Sequence, residues 1–294
     1  MLSARGRGID PVRIFGNRVF AEEMMDDMTD SLPGPEFWAM IRSHTGEVIN
    51  VERTKRGFGS EFTAVIDTVH GRFFVKAIRN RPGGDRVSIF REWLINSAVQ
   101  PISPAIRWHA RDDTWIVLGF EAVEGRSARF EPGSTDLPEI VGALNRIGRV
   151  PVPEGAREWT ETRWDRFAGS AEEAALFRGC ALLHTDINPS NIMVGDQTVW
   201  VVDWAWPTLG AAFIDAAILV LQLVAAGHDP ESAESWAHRC PTWVAADPRA
   251  VDAFAMANLR MYRHRAEREP DADWLGAMVT AAQRWVAHRG VAVA

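Results

Sequence analysis

Between residues 184 and 203 the chain places acidic, amide and imidazole side chains at a spacing that can do phosphate chemistry. His184-Thr185-Asp186-Ile187-Asn188-Pro189-Ser190-Asn191 is followed by Ile192-Met193-Val194, then by Gly195-Asp196-Gln197, then by Trp200-Val201-Val202-Asp203. Gly195-Asp196-Gln197 is turn chemistry between two β-branched or aromatic runs, so 191–203 reads as a β-hairpin. A hairpin returns the chain to its starting point. Asn191, just before the first strand, and Asp203, just after the second, are therefore expected side by side. Asp186 lies five residues upstream in a proline-containing loop on the same rim. Three oxygen-bearing side chains at one edge of a small sheet suit Mg²⁺ and a phosphate.

The pattern H-x-D-x-x-x-x-N, followed by a hairpin and an aspartate, resembles the catalytic loop of the eukaryotic-protein-kinase-like superfamily. The wording Leu183 to Val194, then Val201-Val202-Asp203-Trp204, is most similar to its aminoglycoside phosphotransferase branch. The resemblance implies that Asp186 takes the proton of an acceptor hydroxyl, and that Asn191 and Asp203 hold Mg²⁺ against the phosphates. It makes His184 a support for the loop rather than a base, and Asp215 a structural aspartate bonded to catalytic-loop backbone. Thr185 stands where many relatives have glycine. Trp204 and Ala205 replace the Phe and Gly of a protein kinase's Asp-Phe-Gly. Only twelve residues separate Asp203 from Asp215, and no Ala-Pro-Glu anchor follows. A protein kinase needs a long activation segment there to seat a peptide, so the acceptor is expected to be a small molecule.

The elements that must position these groups are legible as runs. Glu47–Arg53, Phe62–Val69 and Phe73–Ile78 read as strands, as do Pro104–His109 and Thr114–Phe120, the last a continuous apolar run typical of a central strand. Of 32 basic residues only Lys55 and Lys76 are lysines, so Lys76 inside an apolar strand invites a specific explanation. The resemblance supplies one, contact with the α- and β-phosphates. It also supplies Glu92, sixteen residues later on a helix from Asp85 to about Ala98, as the ion-pair partner. Asp85 is read as that helix's cap. Gly57-x-Gly59-Ser60 between the first two strands resembles the nucleotide loop, where glycine lets backbone approach phosphate, although Phe62 stands where a third glycine belongs. Phe120-Glu121-Ala122 resembles the hinge whose backbone binds adenine, which makes Phe120 and Ala122 cofactor-binding positions.

The remainder reads as helical. Pro35–Ser43 is a short helix with proline in its first turn. Asp136–Ile147, Glu158–Phe167, Ala171–Leu183, Ala211–Ala226, Pro230–His238, Arg249–Arg265 and Asp271–His288 follow. The expected organisation is an N-terminal extension with a short helix (1–46), a nucleotide-binding N-lobe (47–121) and a helical C-lobe with the catalytic loop and acceptor site (122–294). The fold class is α+β: a two-lobed protein-kinase-like fold with a small antiparallel-sheet N-lobe and a mostly helical C-lobe.

Composition narrows the partners. Residues 1–120 carry 16 Lys+Arg against 15 Asp+Glu, and residues 121–294 carry 16 against 24, for a net charge of −7. Nucleic acid is a poor partner for such a chain, whereas a cationic small molecule would be drawn to its second half. Glu267, Glu269, Asp271 and Asp273 either face such an acceptor or form a polar connection between helices. The most apolar run, Ala211–Ala226, is too short for a membrane span. Met1–Arg13 has no apolar signal region. Two cysteines, Cys180 and Cys240, read as packed thiols in a reducing cytoplasm. The expected activity is ATP-dependent transfer of the γ-phosphate to a hydroxyl of a small molecule, with Mg²⁺ and with GTP left open. The acceptor is an aminoglycoside or other antibiotic. Alternatives are a metabolic kinase of the choline, homoserine or fructosamine type, and a nucleotide-binding pseudokinase without turnover.

Overall fold

The structure, a computed structural model, describes residues 32–54 and 60–291. Helix α1 (Pro35–Thr45) begins with proline in its first turn and buries Phe37, Ile41 and Thr45 at four-residue spacing. It leads into β1 (Val48–Arg53), β2 (Phe62–Thr68) and β3 (Gly71–Arg79), then α2 (Gly84–Asn96), β4 (Ile106–Arg111) and β5 (Trp115–Glu121). The five strands form one antiparallel sheet in the order β1-β2-β3-β5-β4.

The continuous apolar run of β5 follows from burial on both faces. Trp115 and Val117 pack with Phe37 and Ile41 of α1 on one side of the sheet. Ile116, Leu118 and Phe120 pack with Ile89 of α2 on the other. Gly119 is glycine because a Cβ there would lie 2.1 Å from the Trp108 ring of the neighbouring strand. α2 starts one residue before Asp85, with Gly83 at its N-cap and no side-chain cap. Asp85 therefore sits in the first turn, where its charge meets the positive end of the helix dipole, rather than at the cap.

The second lobe contains β6 (Arg126–Ser127), α3 (Leu137–Ile147), α4 (Ala171–Ala175), β7 (Ala181–Leu183), β8 (Ile192–Val194), β9 (Val199–Val201) and β10 (Thr208–Gly210). Five helices close it: α5 (Ile214–Ala225), α6 (Pro230–Ala237), α7 (Pro241–Val244), α8 (Pro248–Arg268) and α9 (Asp273–His288). Every residue of α5 from Ile214 to Val224 is buried, as expected of a helix that is apolar all round. Among the described residues no helix is long and apolar enough to cross a membrane. The core of this lobe extends into the first through Ile95, Val99 and Ile102.

Four expectations fail here. Glu158–Phe167 is not a helix: Glu161 N–H donates to Leu209 O at 2.8 Å and Leu209 N–H to Trp159 O at 2.7 Å. The segment is drawn out along β10, with a 3-10 turn only at Asp165–Phe167. The run 171–183 is helical only to Ala175; it then becomes β7, paired antiparallel with β10. Gly179 lets the backbone pass close to β10, since a Cβ on it would meet Gly210 O at 2.3 Å. The apolar helix consequently starts at Ile214, not 211, and Cys180, read as packed, is exposed while Cys240 is buried.

Candidate active site

Strand alternation aims Lys76. Val75 and Ala77 face α1, so Lys76 and Ile78 face α2. On α2 a single stripe of Ile89, Glu92, Ile95 and Asn96 is buried, which carries Glu92 toward the sheet. Lys76 Nζ lies 2.7 Å from Glu92 Oε2 and 2.5 Å from Asp203 Oδ1. Lys76 is 5 % exposed and Glu92 4 %. Burial alone would lower the lysine pKa, but the charges and hydrogen bonds of Asp203 and Glu92 outweigh it and hold the ammonium above its ordinary value. Burial pushes the Glu92 carboxyl up, opposed by Lys76 and by a backbone hydrogen bond from Trp204.

The hairpin lies where the turn residues put it. Ile192 pairs with Val201, Met193 with Trp200 and Val194 with Val199. Val202 N–H donates to Asn191 O at 2.9 Å, so Asp203 follows directly on the closed end of the ribbon. Asp203 has φ +61 and Thr185 φ +68, left-handed values that cost a non-glycine residue about 1 kcal/mol or more. The strain at Thr185 is offset locally. Asp215 accepts hydrogen bonds from His184 N–H at 2.9 Å and Thr185 N–H at 2.8 Å. The Thr185 hydroxyl lies 2.5 Å from His184 O and 3.2 Å from Trp206 O.

Asp186 is held by two amides. Asn191 Nδ2 donates to its Oδ2 at 2.8 Å and Asn188 Nδ2 to its Oδ1 at 3.0 Å. Burial, then the charge of Asp203, push its carboxyl up to about 6, against the Asn188 and Asn191 hydrogen bonds and the Arg163 charge. His184 is locked as a neutral ring. Its Nε2 donates to Val202 O at 3.0 Å, which leaves Nδ1 to accept Asp186 N–H at 3.2 Å. Burial brings its pKa down to about 4, which suits a support and not a base at neutral pH. The donor set fits Mg²⁺. Asn191 spends its N–H groups on Asp186 and keeps its side-chain oxygen, while Asp203 engages Lys76 through one of two oxygens. Two protein oxygens with phosphate oxygens and water is the usual Mg²⁺ complement.

The segment expected to be a hinge lies at the end of β5. Phe120 is buried, and the Ala122 N–H reaches Arg72 O only at 3.5 Å, the limit of a hydrogen bond, so it is available to a better acceptor. Gly57 and Gly59 lie outside the described residues; Ser60, half-buried, is the first residue described after them. The expected acidic group, Glu267, Glu269, Asp271 and Asp273, is exposed on the connection from α8 to α9.

Several residues in the site carried no sequence signal. Asn188 Oδ1 accepts the Ser190 and Asn191 N–H groups and organises the loop. Glu161, fully buried, pairs with Arg163 and accepts from the Thr208 hydroxyl at 2.6 Å. Arg91 of α2 lies over the rings of Trp159 and Trp206, at 5.0 and 5.4 Å, tying α2 to the segment after Asp203. Arg163, Asn258, Tyr262 and Arg265 line a cavity of about 30 Å³ that also touches Thr185 and Asp186.

No family model matches the chain, and no curated protein matches it by sequence. Solved structures do match it in shape. The choline kinase LicA from Streptococcus pneumoniae aligns with a TM-score of 0.58 at 13% identity, over 86% of this chain and 98% of that one; LicA is also known in complex with AMP. The macrolide 2'-phosphotransferase MphH from Brachybacterium faecium aligns at 0.54 and 14%, over 84% and 96%. A microcompartment-associated aminopropanol kinase aligns at 0.55 and 16%, over 87% and 99%. The chain has the two-lobed protein-kinase-like fold of these small-molecule kinases.

Proposed function

We propose that the protein is a small-molecule phosphotransferase that moves the γ-phosphate of ATP to a hydroxyl. The observation that carries this reading is the contact of Lys76 with both Glu92 and Asp203 across the two lobes, with Asp186 held one loop away. Phosphoryl transfer asks a protein mainly for positioning and charge, since little covalent chemistry falls to it. Lys76 holds the α- and β-phosphates while Glu92 keeps the ammonium turned inward. Asn191 and Asp203 hold Mg²⁺, which neutralises charge on the phosphates when bound. Phe120 and Ala122 border the adenine through backbone. Asp186 accepts the hydroxyl proton as the new O–P bond forms and the bond from phosphorus to the β,γ-bridging oxygen breaks, releasing ADP. His184 and Asp215 hold the loop in its left-handed turn.

The short link from Asp203 to Asp215, three residues of which form β10, leaves no platform for a peptide and favours a small acceptor. Choline and aminopropanol are small amino alcohols and a macrolide is a far larger molecule, so the fold does not choose among acceptors. The test is ADP release over a panel of antibiotics, amino alcohols, sugars and hydroxy acids. Acceptor-dependent release that needs Mg²⁺ is expected. Stabilisation by ATP and Mg²⁺ with no release on any acceptor would leave a nucleotide-binding module and sink the transferase reading.

A further inference from the structure

Beside Asp186 the wall of the second lobe carries a cation that the reaction so far does not use. Arg265, on the inward face of α8, is 4 % exposed, and its buried Nε has no hydrogen-bond partner. Its guanidinium lies 5.0 Å from the Trp274 ring of α9, a contact that holds the plane but satisfies no N–H. Burial disfavours its charge, and Tyr262, Glu269 and Asp186 supply the opposing attraction. A buried charge is tolerated when it is paired and hydrogen-bonded. Arg265 lacks the second of these at Nε.

The empty volume next to it has a suitable size and address. The cavity is about 30 Å³ and is lined by Thr185, Asp186, Arg163, Asn258, Tyr262 and Arg265, among others. One or two water-sized groups fill that space, so it admits a substituent of an acceptor and not a whole molecule. Arg163 on the same wall is committed to Glu161, yet its charge still reaches Asp186. An ammonium entering here would face two guanidinium groups. A planar carboxylate would meet a fork that matches it.

We propose that this cavity is the acceptor's anion subsite: a carboxylate bonded to Arg265 Nε places a hydroxyl one or two carbons away against Asp186, which makes the substrate class small hydroxy acids. The proposal relies on the phosphotransferase reading only for the place of that hydroxyl. It runs against the cationic acceptor suggested by the acidic second half, whose C-terminal carboxylates are turned to solvent.

Calorimetric binding of D-glycerate, glyceramide, glycerol and serinol, in the presence of Mg²⁺ and AMP-PNP, tests it. Glycerate should bind about tenfold or more tighter than glyceramide or serinol, the value of a hydrogen-bonded charge. Arg265→Gln should erase that preference, Arg265→Lys should restore part of it, and both should keep nucleotide affinity. Glycerate binding no tighter than glyceramide overturns the proposal, as does a preference that survives in folded Arg265→Gln; in either case the cavity holds only water. The wild-type ratio decides even where Arg265→Gln fails to fold. Arg265-dependent glycerate binding with no ADP release on any acceptor of the panel would keep the anion subsite and remove the transferase reading, so the two failures are separable.

Discussion

Asp186 and His184 are two residues apart, the first half-buried and the second buried, and loss of water drives them in opposite senses. For a carboxyl, burial favours the proton, and Asp186 rises to about 6, a value poised to take a proton near neutral pH. Replacing it by Asn keeps the loop's size and removes the base. Asp186→Asn should lower ADP release by about a hundredfold or more while nucleotide binding persists; unchanged turnover would exclude Asp186 as the base. For an imidazole, burial favours the neutral form, and His184 falls from 6.5 to about 4. Its Nδ1 must remain an acceptor for Asp186 N–H, so protonation opposes the folded loop. The unfolded chain binds this proton near pH 6.5 and the folded chain only near 4. The stability His184 contributes is therefore fully present above pH 6.5 and is lost as pH falls through about 4. The shift corresponds to about 3 kcal/mol. Urea denaturation of wild type and His184→Gln across pH 7 to 4 should converge by roughly that amount; parallel curves would mean that the ring titrates freely in the fold.

Among the elements, legibility in the sequence tracked whether the deciding interactions were local. The hairpin 191–203 was readable because Gly195-Asp196-Gln197 is a turn in any context. β5 was readable because an uninterrupted apolar run needs cover on both faces. The segments 158–167 and 171–183 were misread because their geometry is set by each other and by β10, twenty-five or more residues on. Helical spacing of Leu176, Phe177 and Leu183 outvoted the one local sign, Gly179. Arg91 could not be found at all: a guanidinium on a helix is ordinary until Trp159 and Trp206 arrive on either side. That contact is one of the tethers from α2, which carries Glu92, to the segment after Asp203. Arg91→Ala should lower stability by about 1–2 kcal/mol, the range for a partly desolvated cation–π pair. It should also weaken nucleotide binding by letting Glu92 drift from Lys76. A variant with wild-type urea midpoint and nucleotide affinity would show the tether to be idle.

At the scale of the molecule, the lobes meet through two kinds of contact that respond differently to ligand. The apolar one is fixed: Ile95, Val99 and Ile102 belong to the core of the second lobe, so thermal unfolding should be a single transition. The polar one is conditional. Lys76 spans Glu92 and Asp203; a triphosphate brings three or more negative charges between Lys76 and two aspartates. Lys76 alone cannot balance these, and Asp186 and Asp203 repel them unless Mg²⁺ is shared between Asp203, Asn191 and the phosphates. ATP with Mg²⁺ at about a hundred times its dissociation constant should therefore add about 2.7 kcal/mol, a rise in melting temperature of roughly 4–5 °C for a chain of this size. ATP with a chelator should give far less. Asp203→Asn removes both the repulsion and the metal ligand, so its shift should be small and the same with or without Mg²⁺. A Mg²⁺-dependent shift that survives in Asp203→Asn would move the metal away from this carboxylate and leave Lys76 as its only partner.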